Sequence, residues 1–440
     1  MKLHDYQSEA VDWITSNERG FLWLKMGDGK TVIAATAIAK MGVPSVVVGT
    51  KRIIEDVWPN ELSKWPHLRS LTYRSATASV MKRRAAVAAK PDILGVSYEN
   101  LIAYLEMKDP IKRPFWIFDE ITKMKSPSTR RFRMLQKAAA FERAFGLTAT
   151  PTMEGHLGLW SQWKAIGGDD RLGRTISEFR NLFTLQFFRG SFTDYKIMPV
   201  HAERIEKLIA PHVFTIDDSR RPYHSQVVTI DVPISWESKT AAALYKRMEK
   251  DMVAELETSS FSVASKGVAL NKCRQIATGF LYTPEGTVQF DTDKIDALVE
   301  AVEEIQGEQA LVFYQFQHER EMLLEALPGA KPMDVNNYQL LNEVKIQTLV
   351  LHPRSCSHGL NLQRAGYAFF STLPWSGEDY AQAVGRIDRQ GQTGFPVVKR
   401  FIRSGTVDED AADVVDGKIT SQEQLIQRFR ERTGWTCRTP

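Results

Sequence analysis

The sequence predicts an α/β protein of two lobes, each a mainly parallel sheet flanked by helices, with a helical connector. Between residues 20 and 150, short runs of β-branched and aromatic residues alternate with segments of helical period, and a second such series follows late in the chain. The length of 440 residues suits two or three cores of ordinary size. With 43% hydrophobic and 25% charged residues, disorder, collagen-like repeats and coiled coil are excluded as the main plan.

In chain order, GFLWL, PSVVVGT, DILGVSY, FWIFDE and RAFGLTAT read as strands, and TVIAATAIAKM and RRFRMLQKAAAF as helices. Strands apolar along their whole length are buried on both faces, which favours a parallel sheet covered by helices on both sides. LWSQWKAI and SEFRNLFTLQFF read as a helical insertion, about 155–215, in a first lobe spanning 1–225. The polar segment DDSRRPYHSQ marks the join. The connector and second lobe, 226–440, open with the alternating SQVVTIDVPIS and the helical TAAALYKRMEKDMVAELE. ALVFYQF, IQTLVLHP, YAFFSTLP and PVVKRFI then supply the second strand series.

Cys273, Cys356 and Cys437 stand far apart with no CxxC pair, so neither a disulfide framework nor a Cys-rich zinc site is expected. A charged N-terminus and the lack of any apolar run near the roughly 18–20 residues of a membrane span point to a cytoplasmic protein with no membrane partner.

MGDGKT, Met26–Thr31, lies between a strand candidate and a helix candidate. Gly27 and Gly29 let successive N–H groups, with that of Asp28, turn towards phosphate oxygens, and the following helix N-terminus adds positive potential. Lys30 would reach the β/γ-phosphates of ATP and Thr31 would hold Mg²⁺. Leu24 stands where the longer glycine pattern has its first glycine, so a plain Gly turn before a helix is the alternative. FWIFDE ends in Asp119 and Glu120. A strand-end Asp can position Mg²⁺ and a neighbouring Glu can polarise the attacking water.

The net charge is only +4, from 57 basic and 53 acidic residues. Residues 121–141 nevertheless carry Lys123, Lys125, Arg130, Arg131, Arg133 and Lys137 with no acid, while acid concentrates in DTDKIDALVEAVEEIQGE and VDEDAADVVD. Such a stretch can neutralise nucleic-acid phosphates without reading sequence, or can be a solvated helix face. Trp160, Trp163, Trp236 and Trp375 fit core packing better than base stacking. Arg386 and Arg389, three apart in QAVGRIDRQGQ, would share a face if helical.

The strings together resemble superfamily 2 helicases, and within them the Swi2/Snf2 group of DNA-dependent ATPases. LHDYQSEAVDWI is similar to the group's Q-type motif, MGDGKT to motif I, VVVGTKRIIEDVWPNELSKW to motif Ia, ILGVSYENL to Ib, FDEITKMKSPSTRRFRML to II and LTATPTMEGHLGLWSQW to III. SHGLNLQRAGYAFFSTLPWSGEDYAQAVGRIDRQGQ resembles motifs V and VI run together. The resemblance implies two RecA-like lobes, with Gln7 on adenine, Gln382 at the nucleotide, and Arg386 and Arg389 on the transferring phosphoryl group across an interlobe cleft. It also implies backbone contacts to DNA, duplex favoured, by Thr50, Lys51, Ser97 and Asn361, and coupling by Thr148 and Gly359. Motif II here is DEIT, which leaves Thr122 without an assigned role, and Asp28 is expected to face solvent. A compact, monomeric, phage- or bacterial-type ATP-dependent DNA translocase is the expectation. Its rivals are a strand-separating helicase of the same superfamily and a non-catalytic DNA-binding scaffold.

Overall fold

The computed structural model describes residues 2–107, 109, 111–138, 141–149, 151, 156–189, 192–221, 227–257, 263–334, 337–358, 362, 364–388, 395–418, 424, 428 and 432. The chain divides into two compact units, Met1–His224 and Ser225–Pro440.

In the first unit the strands are β1 (Arg19–Trp23), β2 (Ser45–Gly49), β3 (Tyr73–Ser75), β4 (Ile93–Ser97), β5 (Phe115–Asp119), β6 (Arg143–Thr148), β7 (Thr184–Arg189), β8 (Phe192–Ile197) and β9 (Val213–Phe214). Seven form a sheet in the order β3-β4-β2-β5-β6-β1-β9, with every pairing parallel. Alternate side chains feed two cores. Phe21, Val46, Val48, Trp116 and Phe118 face one side. Leu22, Val47, Phe115, Ile117 and Phe145 face the other, where the helices Asp5–Ser16 and Lys30–Met41 cover them. The five strands predicted here are β1, β2, β4, β5 and β6. The two others, β3 and β9, are edge strands of three and two residues, too short for any period to register.

One element differs from its expectation. The helix beginning at Ile176 stops at Phe183, and β7 and β8 form an antiparallel hairpin where SEFRNLFTLQFF had read as continuous helix. Thr184 explains the stop: its hydroxyl bonds back to the Arg180 carbonyl at 2.7 Å while its backbone turns extended, and the β-branched and aromatic residues that follow suit a strand.

The second unit contains β10 (Val228–Ile234), β11 (Phe280–Thr283), β12 (Gly286–Gln289), β13 (Ala310–Phe313), β14 (Lys331–Pro332), β15 (Thr348–Leu351), β16 (Tyr367–Phe370) and β17 (Val397–Arg403). Its sheet, in the order β10-β17-β16-β13-β15-β14, is also parallel throughout. The helices Lys239–Glu257 and Val263–Thr278 supply a separate small core around Tyr245, Cys273, Ile276 and Ala277, in which burial pushes the Cys273 thiol up to about 12. The fold class is therefore as predicted, two parallel-sheet α/β bodies. Trp160 and Trp163 are core residues. Trp236 and Trp375 are half-buried against the guanidinium groups of Arg403 and Arg274, at 4.1 and 5.4 Å.

Candidate nucleotide site and its surroundings

Three of the sequence motifs emerge at the same end of adjacent strands. β5, β6 and β1 are neighbours, and being parallel they deliver Asp119, Thr148 and the loop after Trp23 to one edge of the sheet. This carboxyl edge is where open α/β sheets take ligands.

The loop's conformation follows from its glycines. Gly27 and Gly29 hold φ of 85° and 82°, and a Cβ on Gly29 would lie 2.4 Å from the Gln7 amide nitrogen. Gly29 is the residue before the helix Lys30–Met41, so Lys30 and Thr31 stand in its first turn. The Lys30 ammonium donates to the Leu24 and Lys25 carbonyls at 2.8 and 3.1 Å. Gln7 is buried, donating to the Asp28 carbonyl at 3.1 Å and accepting from the His4 N–H at 3.0 Å. The Tyr6 hydroxyl donates to the same Asp28 carbonyl at 3.0 Å, and burial followed by the Asp28 charge pushes its pKa up to about 12, so it stays a donor.

Asp28 corrects an expectation. Its side chain is buried, with Oδ2 accepting from Arg221 Nε at 3.1 Å, because the polar segment ahead of the unit boundary folds back over the phosphate loop.

Asp119 ends a strand buried at every position. Burial raises its pKa to about 6, opposed by a 3.0 Å hydrogen bond from the Trp58 indole and by the nearby Lys30 charge, and reinforced by Glu120. Trp58 arrives through a π-helical turn, Ile53–Val57, that opens directly into the helix Trp58–Lys64. Glu120 occupies the left-handed region at φ 59° and ψ 58°, a costly position for a residue with a Cβ, and so turns the chain out of the sheet. Its Oε1 accepts from Thr122 Oγ1 at 3.0 Å and from Thr148 Oγ1 at 3.2 Å. The Tyr98 hydroxyl donates to the carbonyls of both Asp119 and Glu120, each at 3.1 Å. The contacts of Trp58 and Tyr98 and the Thr122–Glu120 hydrogen bond were not read from the sequence. The one signal was position: Trp58 lies within the string matched to motif Ia, and Tyr98 within the motif Ib string, directly after β4.

Among the basic candidates, Lys51, Lys125 and Arg130 are exposed and Lys123 is half-buried. Arg130 lies 3.5 Å from Glu106. Arg131 donates to the Lys123 carbonyl at 2.7 Å and lies over the Tyr98 ring, which makes it a brace for the turn after Glu120. Thr50 is buried. Ser97 has no exposed surface and its hydroxyl accepts from Asn100 at 2.9 Å.

In the second unit Gln382 is buried on the helix Gly377–Val384 and donates to Glu378 at 3.2 Å. Its Oε1 has no hydrogen-bond partner among the described residues. That helix ends at Val384, and Arg386 is buried in the turn that follows. Arg389, Gly359 and Asn361 lie outside the described residues. No helix among the described residues is long and apolar enough to cross a membrane.

The SNF2-related domain family matches residues 6–260. Protein p41 of Acyrthosiphon pisum secondary endosymbiont phage 1 is 31% identical over 97% of this chain and 98% of its own length. The ISWI chromatin-remodeling complex ATPase ISW2 of Saccharomyces cerevisiae is 23% identical over 97% of this chain, which spans only 41% of that longer protein. In fold, the Pyrococcus furiosus Hef helicase domain is similar with a TM-score of 0.53 at 14% identity, covering 93% of this chain and 97% of that one. With strand order, motif order and the match to more than half the chain in agreement, this protein belongs to the SNF2-related family of ATPase and helicase-like domains.

Proposed function

We propose that this SNF2-related chain hydrolyses ATP with Mg²⁺, is stimulated by DNA, and uses the energy to translocate along duplex DNA or to remodel protein–DNA or branched-DNA complexes. The observation that carries this reading is the meeting of the phosphate loop, the Asp119–Glu120 pair and Thr148 at one edge of a parallel sheet. Membership of a family that includes a chromatin-remodeling ATPase supports it.

The donor set suits Mg²⁺. A Thr31 hydroxyl and an Asp119 carboxylate are hard oxygen ligands, and Mg²⁺ typically takes few protein ligands beside water and substrate phosphates. Bound there, the ion would neutralise charge on the β- and γ-phosphates. Backbone N–H groups of Gly27 to Lys30 cradle the phosphates, and Lys30 leaves the Leu24 and Lys25 carbonyls for them. Glu120, held by Thr122 and Thr148, orients and polarises the attacking water. Thr148 thereby links the carboxylate to the segment that follows β6. Gln7 orders the loop and is the candidate adenine contact. Gln382, Arg386 and Arg389 serve the same reaction from the second unit, the arginines by stabilising charge on the transferring group. Lys51, Lys123, Lys125 and Arg130, with Arg133, contact DNA phosphates, and Asn361 and Gly359 act in contact and coupling.

Third-strand displacement from a triplex, compared with opening of a forked duplex, tests the translocase reading. ATP-dependent release of the third strand with the fork left closed is expected. Opening of the fork alone makes the protein a strand-separating helicase instead.

A further inference from the structure

A carboxylate inside a phosphate-binding loop is electrostatically awkward. Asp28 stands between the two glycines whose backbone N–H groups would receive phosphate oxygens, so its negative charge opposes an anionic ligand at short range. Its side chain is nevertheless buried, with 9% of its surface exposed, against an Arg221 side chain that is 8% exposed. An uncompensated carboxylate in such a place would be strongly destabilising. The neighbouring Arg220 is fixed as well, with one guanidinium nitrogen 2.7 Å from both carboxylate oxygens of Glu9 on the helix Asp5–Ser16. Both arginines lie just ahead of the boundary at His224.

We infer that Arg221 is a positioning residue of the phosphate loop, cancelling the Asp28 carboxylate so that the loop can accept a nucleoside triphosphate. Arg221 need not touch the nucleotide. It acts through Asp28, and the inference rests on the nucleotide-binding reading above. Its electrostatic origin separates it from a purely structural brace. A brace lost from the loop weakens all nucleotides alike, whereas an exposed carboxylate repels a ligand in proportion to the ligand's charge.

The test is equilibrium binding of fluorescent ATP and ADP analogues to the full chain carrying Arg221→Ala, Asp28→Asn or both, with thermal melts to verify folding. Arg221→Ala should weaken the ATP analogue by roughly tenfold and the ADP analogue by less, as a charge uncovered within several ångströms implies. Adding Asp28→Asn to Arg221→Ala should restore affinity. Asp28→Asn alone should bind the ATP analogue at least as tightly as wild type, an outcome that does not depend on the folding of Arg221→Ala. Equal losses for both analogues, no rescue in the double variant, or weaker binding by Asp28→Asn overturns the role of Arg221 alone. A wild-type protein that binds neither analogue overturns the nucleotide reading and this inference with it.

Discussion

Asp119 shows how a buried carboxylate can work against folding. Burial holds its pKa at about 6, above the ordinary aspartate value of 3.8, so the native state binds its proton more tightly than the unfolded chain does. Stability from this group is fully present below about pH 4, falls as pH rises towards 6, and stays reduced above that. Asp119→Asn removes the ionisation while keeping an oxygen for the Trp58 indole. Its melting temperature relative to wild type should therefore climb between pH 4 and pH 6.5, with a gain of up to about 3 kcal/mol at pH 7, while ATP hydrolysis is lost. A melting-temperature difference that stays flat across that range removes the claim that Asp119 is held ionised at a cost. Candidate residues were legible in the sequence where a motif marks them, as for Lys30, Thr31, Asp119 and Glu120, which the fold brings to one edge of the first sheet. The partners of those residues were not. The 61 positions between Trp58 and Asp119 are closed by tertiary folding, and the same holds for Asp28 and Arg221, 193 apart.

At the scale of elements, the sequence spoke clearly wherever a strand was long and buried on both faces. β2, β4 and β5 are buried at all five positions and read as unbroken apolar runs. The short edge strands β3, β9 and β14 carry too few residues for a pattern, and the β7–β8 hairpin was hidden because its apolar residues continue those of the preceding helix without a break. The helix Arg130–Ala138 presents Arg130, Arg133 and Lys137 outward while Phe132 and Leu135 face the core, so its basic and apolar residues are sorted by helical period. If this outward face holds DNA, replacing Arg130 and Arg133 together by Ala should leave ATP hydrolysis without DNA unchanged. The DNA concentration needed for half-maximal stimulation should then rise about tenfold at moderate salt, with a shallower salt dependence. An unchanged DNA requirement would mean a merely solvated face. Arg131, turned inward over Tyr98, is a poor choice for that experiment because its loss would disturb the turn at Glu120.

For the whole molecule, the small net charge of +4 conceals a separation of sign. The basic stretch follows the acid pair of the first unit, whereas the second unit fixes much of its charge internally. Arg403 pairs with Asp291 and Asp293 at 2.7 Å each, and Lys294 with Asp408 at 2.5 Å, all of them buried or nearly so. These pairs join β17 to the start of the helix Asp293–Glu304, and that helix to the helix Val407–Val415. The central claim is that the nucleotide site of one unit is used in response to nucleic acid. It is tested most directly by ATP hydrolysis measured with no nucleic acid, duplex DNA, single-stranded DNA and RNA, alongside Lys30→Ala. The account predicts a low basal rate, strong stimulation by duplex DNA, and abolition of both by Lys30→Ala. Hydrolysis that no nucleic acid stimulates, or that survives Lys30→Ala, would contradict it.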